Sequence, residues 1–323
     1  MFTMRFDMRS PGSPDKIPDL YEAAVDMAEW AEPRGCAMVI ISEHHASADG
    51  YLPSPFLLAS AMASRTKTLQ IMIAAAPLLF YDPVRLAEDI AVIDNLSRGR
   101  VAVVLSLGYR REEYEMFGID MSDRARLMDE SLAVLLDAIE GKPFTAQNRR
   151  IWVTPTATSN GGPKIYLGGK SKGAARRAAR FGLDFFAQSE STELEDAYRA
   201  EAARVGRQPG VCFLPSKNVP NTVFVASAID DAWEQLGTYL LHDAVTYAGW
   251  NPGDDDTVSL SAANTIDALR AEEGAHRILT VDQARDFISR DGFLGLHPLC
   301  GGLAPDIAWP YLRRMEEVLA QQQ

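Results

Sequence analysis

Cysteine is scarce in this sequence: Cys36, Cys212 and Cys300 are the whole set, an odd number at no metal-like spacing. That excludes a disulfide framework and reads as three reduced thiols, each packed as a small apolar side chain. Long apolar runs are lacking as well. The longest, IMIAAAPLLF from Ile71 to Phe80, falls well short of the about 20 residues that span a bilayer. The first residues, MFTMRFDMRSPGSPDK, do not have the layout of a signal peptide. Together these gaps set the expectation of a soluble cytoplasmic protein with no membrane partner. Positive charge is also in deficit, with 32 Lys+Arg against 44 Asp+Glu and a net charge of −12. Such an acidic chain repels a phosphate backbone, so sequence-independent nucleic-acid binding is not expected. The glycine-containing stretch LSLGYRREEYEMFG matches neither GxGxxG nor GxxxxGK[ST], which argues against a dinucleotide fingerprint or a P-loop there.

What is present is alternation. Apolar strand-like runs at Thr3–Met8, Ala37–Ser42, LQIMIAA, Val101–Leu107, Lys164–Gly168, Leu183–Gln188, Asn221–Ala226 and Gly292–His297 are each followed by a helical pattern. Ser54 with Pro55, and Asp82 with Pro83, read as helix starts; Gly99 and Gly141 read as stops. Continuous apolar runs fit strands covered on both faces. Eight such units predict an α/β fold, a (β/α)8 TIM barrel, and a single domain over 1–323. An open doubly wound sheet is the rival; the barrel is preferred because the count is eight and no switch point is evident. Two segments exceed a minimal barrel. Phe144–Pro163 has hairpin and turn chemistry. Gly249–Asp291 opens with a turn-rich acidic stretch and then becomes helical; it is an insertion that is either a lid at the mouth or a solvated excursion.

Barrel active sites lie at the C-terminal ends of the strands. The second strand ends in Glu43, His44 and His45, two of only five histidines. Successive strand residues point to opposite sides, so both imidazoles cannot face one centre while the strand continues. No spaced His/Asp/Glu set accompanies them, and a catalytic metal is not expected. One histidine is either a general acid or base with Glu43 in polar contact nearby, or a hydrogen-bonded structural residue at the rim. After the fourth strand come Ser106, Gly108, Tyr109 and Arg110. After the fifth comes LGGKSKGAARRAARFG, where Gly168 and Gly169 allow close approach and Ser171 can cap a helix. Free amides at that helix start, with Lys170, make an anion site; the alternative is an ordinary turn before a basic helix face.

SEHHASADGYLPSP, YDPVRLAEDIAVIDNLSRGRVAVVLSLGYRREEYEMFGID, LGGKSKGAARRAARFG and PLCGGLAPDIAW, in that order, resemble the bacterial luciferase-like superfamily of flavin- and F420-dependent enzymes. The resemblance implies a barrel with insertions and a flavin or deazaflavin ring across its mouth. It implies that His44 lies beside the reactive ring, with a non-proline cis peptide near Ala74, Ala75 and Ala76 pressing on it. Ser106 to Tyr109 would line the ring. The cofactor phosphate would rest on Gly169, Lys170 and Ser171, helped by Arg124, with Arg126 as the second choice. The activity implied is a monooxygenase using reduced FMN and O2 on a small organic substrate, with a separate flavin reductase. The alternatives are an F420-dependent oxidoreductase with an F420 reductase, or a non-catalytic flavin-binding subunit. A homodimer through SPFLLASAMASRT and DPVRLAEDIAVIDNL is also implied. Asp49-Gly50-Tyr51 receives no role.

Overall fold

The computed structural model describes residues 1–12, 14–159 and 162–320. Positions 160 and 161 of the Phe144–Pro163 segment lie outside the described residues. In chain order the elements are β1 (Phe2–Phe6), α1 (Ile17–Ala31), β2 (Cys36–Ile41), α2 (Pro55–Arg65), β3 (Gln70–Pro77), α3 (Pro83–Ser97) and β4 (Val101–Ser106). A short α4 (Arg111–Met116) precedes α5 (Arg124–Ile139), β5 (Phe144–Ala146), β6 (Arg149–Ile151), β7 (Lys164–Gly169), α6 (Lys172–Phe181), β8 (Asp184–Ala187), α7 (Thr192–Arg204) and β9 (Cys212–Phe213). The rest is β10 (Thr222–Val225), α8 (Ile229–Trp250), α9 (Ile266–Glu272), β11 (His276–Leu279), α10 (Val281–Asp291), β12 (Leu294–Leu296), α11 (Pro305–Arg313) and α12 (Met315–Leu319).

All eight expected strands form. The hairpin chemistry of 144–151 becomes the antiparallel pair β5–β6. Three features were not anticipated. α4 is six residues, REEYEM, too short and charged to show an apolar period. β9 is two residues long. The Gly249–Asp291 insertion becomes helical as expected, with α9 and α10, but it also carries an unexpected strand, β11, which pairs in parallel with β10. Ser54 is a correction, since its side chain makes no cap bond. Asp82 does cap, accepting from the amides of Val84 and Arg85 at 2.9 and 3.1 Å.

The chain divides into two compact units. The first comprises Met1–Ser42, Ser47–Leu52 and Pro215–Gln323, and its parallel strands run in the order β11-β10-β12-β1-β2. At its centre lies a buried ion network. The Arg9 side chain is fully buried, with Asp7, Asp49 and Asp243 at 3.3, 3.7 and 3.4 Å. Its guanidinium carbon lies 4.8, 4.5 and 5.3 Å from the ring centres of Tyr51, Tyr247 and Trp250. The Asp49-Gly50-Tyr51 segment therefore supplies one anion and one ring of this cage. Gly302, at φ +80°, lies so close that a Cβ would stand 2.9 Å from the Arg9 carbonyl oxygen.

The second unit comprises Glu43–Ala46 and Pro53–Leu214, with parallel strands in the order β3-β4-β7-β8-β9. Its core buries Leu86 and Ile90 of α3, Val103 and Leu105 of β4, and Leu132 and Leu135 of α5. Each such side chain contributes about 1.5–3 kcal/mol. Buried Asp94 of α3 accepts from the amides of Thr158 and Ser159 at 2.7 and 2.9 Å. That fixes the chain between the hairpin and β7, so β7 enters the sheet beside β4.

Candidate active site

Every site residue expected from the sequence falls in the second unit. Its strand ends bring many of them together. Ala76 and Pro77 of β3 pair with Leu105 and Ser106 of β4, and Leu105 pairs with Leu167 of β7. The peptide between Ala74 and Ala75 is cis, and both alanines are partly exposed. Ser106, Gly108 and Tyr109 are partly exposed too. Gly108 has φ +75°, and a Cβ there would meet Phe80 and Pro77 at 3.4 and 3.5 Å.

β2 ends at Ile41, so Glu43, His44 and His45 lie in the loop beyond it, and the strand alternation considered from the sequence does not apply to them; hydrogen bonds separate the two imidazoles instead. His44 Nδ1 lies 2.8 Å from Glu113 Oε1, and its Nε2 lies 3.2 Å from the Tyr109 hydroxyl. His45 goes elsewhere. Its Nε2 lies 2.8 Å from Glu43 Oε1, and its ring meets Phe117 and Phe80 edge-on at 4.8 and 5.7 Å. The Tyr81 hydroxyl donates to Glu43 Oε2 at 2.6 Å. Each histidine thus has its own glutamate.

The two glutamates titrate in opposite senses. Burial pushes the Glu43 carboxyl up, and the hydrogen bonds from His45 and Tyr81 offset this only in part. Burial also opposes ionisation of Glu113, but the His44 hydrogen bond, the His45 amide and Arg110 outweigh it and hold that carboxyl below its ordinary value. Glu113, Tyr81 and Phe80 were missed from sequence. Glu113 sits on the unanticipated α4, and its only signal was a run of charge beside a strand end.

The phosphate-suited turn keeps its expected form. Ser171 caps α6 by accepting from the Ala174 amide at 3.1 Å. The first-turn amides of Lys172 and Gly173 have, by position, no intrahelical acceptor. Gly169 leaves room that a side chain would close, since a Cβ would stand 2.7 Å from Ala174 Cβ. Gly168 is as tight, 2.9 Å from Val104. Arg124 opens α5 and donates to the Met121 carbonyl at 2.8 Å. The start of α5 lies beside α6, because Arg177 donates to the Ala125 carbonyl at 3.2 Å. Arg126 is exposed and engaged by Asp123 and Glu130, which suits it less.

In the first unit Asp243, His297 and Cys300 bring one ligand atom each within 4.8 Å of one another. Arg5 already occupies that space. Its Nη2 lies 3.1 Å from Asp243 and 2.9 Å from His297 Nδ1. A second cation there would face both Arg5 and Arg9, so the trio does not fit a metal ion.

The sequence pattern of the family described as luciferase-like monooxygenase matches residues 2–293. The chain belongs to the luciferase-like monooxygenase family. The alkanal monooxygenase alpha chain of Photorhabdus laumondii is 28% identical over 170 residues, 51% of this chain and 47% of its own. The chain spans about half the length of the curated relatives it matches. Two solved structures share the luciferase-like fold over nearly the full length. The oxygenating constituent of 3,6-diketocamphane monooxygenase from Pseudomonas putida, in complex with FMN, has a TM-score of 0.67 at 18% identity, covering 99% of this chain and 96% of that one. An F420-dependent secondary alcohol dehydrogenase has a TM-score of 0.66 at 16% identity and 98% of both chains. These likenesses show the α/β fold that the eight strand–helix units predicted. Luciferase-like members use a flavin or F420 as oxidoreductases or monooxygenases.

Proposed function

We propose that this chain is an FMN-dependent monooxygenase acting on a small organic substrate. The observation that carries the reading is the gathering, in one unit, of a hydrogen-bonded His44–Tyr109 pair and an open-amide turn at Gly168–Ser171. The residues fit the cofactor. Gly169, Lys170, Ser171 and Arg124 would hold its phosphate, and Ala74–Ala76, Ser106, Gly108 and Tyr109 would border its ring. When bound, reduced FMN supplies the electrons that activate dioxygen.

The chain's own part is to bind, exclude water and handle a proton. His44 Nε2, beside the Tyr109 hydroxyl, is the atom placed to exchange that proton with substrate oxygen. Glu43 acts at one remove: both its oxygens are engaged by His45 and Tyr81, so it stiffens the segment that carries His44. Leu57 of α2 with Val92 and Leu96 of α3 are exposed apolar residues on the helices through which a homodimer is proposed.

The test is a titration of the purified protein with reduced FMN and with F420, followed by absorbance and fluorescence. Binding of reduced FMN with oxygen-dependent turnover supports the proposal, and His44→Ala should then lose about 10²–10⁴-fold in kcat. Binding of F420 without FMN overturns it in favour of hydride transfer. Binding of FMN with a silent His44→Ala points to a non-catalytic subunit.

A further inference from the structure

Two fixed donors near His44 converge on one oxygen. Glu113 Oε1 accepts from the His45 backbone amide at 2.9 Å and from Arg110 Nη1 at 3.3 Å. Arg110 Nη1 also donates to the His45 carbonyl at 2.5 Å, so the same guanidinium ties down the backbone that carries both histidines. The Glu113 side chain has no exposed surface, and among the described residues its Oε2 makes no hydrogen bond. Neither an amide nor a guanidinium can accept a proton in return, so Oε1 acts as an acceptor. The third partner of that oxygen, His44 Nδ1 at 2.8 Å, must then be a donor.

We propose that Glu113 is a positioning residue that fixes His44 as the Nδ1–H tautomer, so that its Nε2, beside the Tyr109 hydroxyl, carries no proton and can accept one. This rests on the proton-transfer role proposed for His44. In the step, Nε2 bonds to the proton of a hydroxyl, the O–H bond breaks, and its electron pair stays on oxygen. The imidazolium so formed lies beside the ionised Glu113, which offsets its charge without taking the proton. A neutral imidazole donates from only one nitrogen, so the opposite tautomer would turn a donor toward that hydroxyl and could not accept.

The test reads the ring directly. Full-length protein labelled with ¹⁵N-histidine is examined by long-range ¹H–¹⁵N correlation at a pH where His44 is neutral, with His44→Gln assigning its signals. The wild type should show Nδ1–H in at least about tenfold excess over Nε2–H, as a charge-assisted hydrogen bond dictates. Glu113→Gln retains a carbonyl acceptor and should keep that tautomer. Glu113→Ala removes the acceptor and should give a mixture of the two. Nε2–H in the wild type, or an unchanged single tautomer in a folded Glu113→Ala, overturns the proposal. If Glu113→Ala does not fold, the wild-type spectrum alone decides. The experiment needs no cofactor, so a failure of flavin binding and a failure of the tautomer assignment are told apart.

Discussion

Around His44, imidazole, carboxylate, guanidinium and phenol meet through directed hydrogen bonds of 2.8 to 3.3 Å. Around Arg9, three carboxylates and three aromatic rings surround a guanidinium whose nitrogens, among the described residues, make no hydrogen bond at all. Both clusters are buried and both hold several ionisable groups. They differ in what is specified. The first aligns particular atoms and leaves one nitrogen beside a partly exposed tyrosine, which is what proton transfer needs. The second balances charge around a buried cation without aligning donors on acceptors. Burial of charge alone is therefore a poor guide to a site; geometry of donors and acceptors separates the two.

The sharpest way to break this comparison is Arg9→Met. Burial alone would lower the Arg9 pKa, yet Asp7 and Asp243 hold it well above its ordinary value. Removing the cation leaves three buried carboxylates short of a partner, so the variant should lose about 3–5 kcal/mol in urea unfolding at neutral pH. A loss below 1 kcal/mol would mean the network is solvated and the contrast is false.

Next in size is the acid limb of the wild type. Burial raises the Asp243 pKa, but Arg5 and Arg9 outweigh it and hold the carboxyl well below 3.8. Asp7 and Asp49 are also lowered. A depressed pKa gives stability that is present above the unfolded value and lost as pH falls toward the folded one. Unfolding midpoints should therefore fall steeply below about pH 4. The gap between wild type and Arg9→Met should narrow over the same range, because the variant's acids keep Arg5, His297 and His242 but lose the lowering that Arg9 adds.

The two clusters were unequally legible in the sequence. Glu43-His44-His45 stood out because polar residues ended an apolar run, and the turn at Gly168–Ser171 because glycine and a capping serine have local signatures. That the two imidazoles part could not be read from strand alternation, because β2 ends at Ile41; Glu113 and Glu43 draw them to different partners. Glu113, 69 residues from His44 in the chain, could not be assigned, since only the tertiary packing of α4 brings it there. The Arg9 cage was invisible for the same reason: Asp7, Asp49 and Asp243 come from separate segments, and Asp49-Gly50-Tyr51 acquires a role only when α8 supplies Tyr247. Eight strands could be read because each lies in an apolar run; β9 and α4 are too short to carry a period, and β11, HRIL, opens on two polar residues.

A smaller effect sharpens the comparison on the site's side. Ser171→Ala removes one directed bond, to the Ala174 amide, and should cost about 1 kcal/mol of stability. If the turn holds a phosphate, the same change should weaken FMN binding and leave riboflavin binding unaltered. Equal weakening of both ligands would place the phosphate elsewhere.

The smallest effect has the most telling sign. Burial raises the Glu43 carboxyl above 4.5, the opposite of Asp243. For a raised acid, the wild type loses stability as pH climbs from the unfolded pKa to the folded one. Glu43→Gln has no proton to lose and keeps an oxygen for Tyr81, so it should not show that slope. Its stability relative to wild type should rise across that window. The reverse trend, with the variant weaker at neutral pH and level with wild type in acid, would make Glu43 an ionised partner like Asp243. The His44 cluster would then rest on two buried anions instead of one.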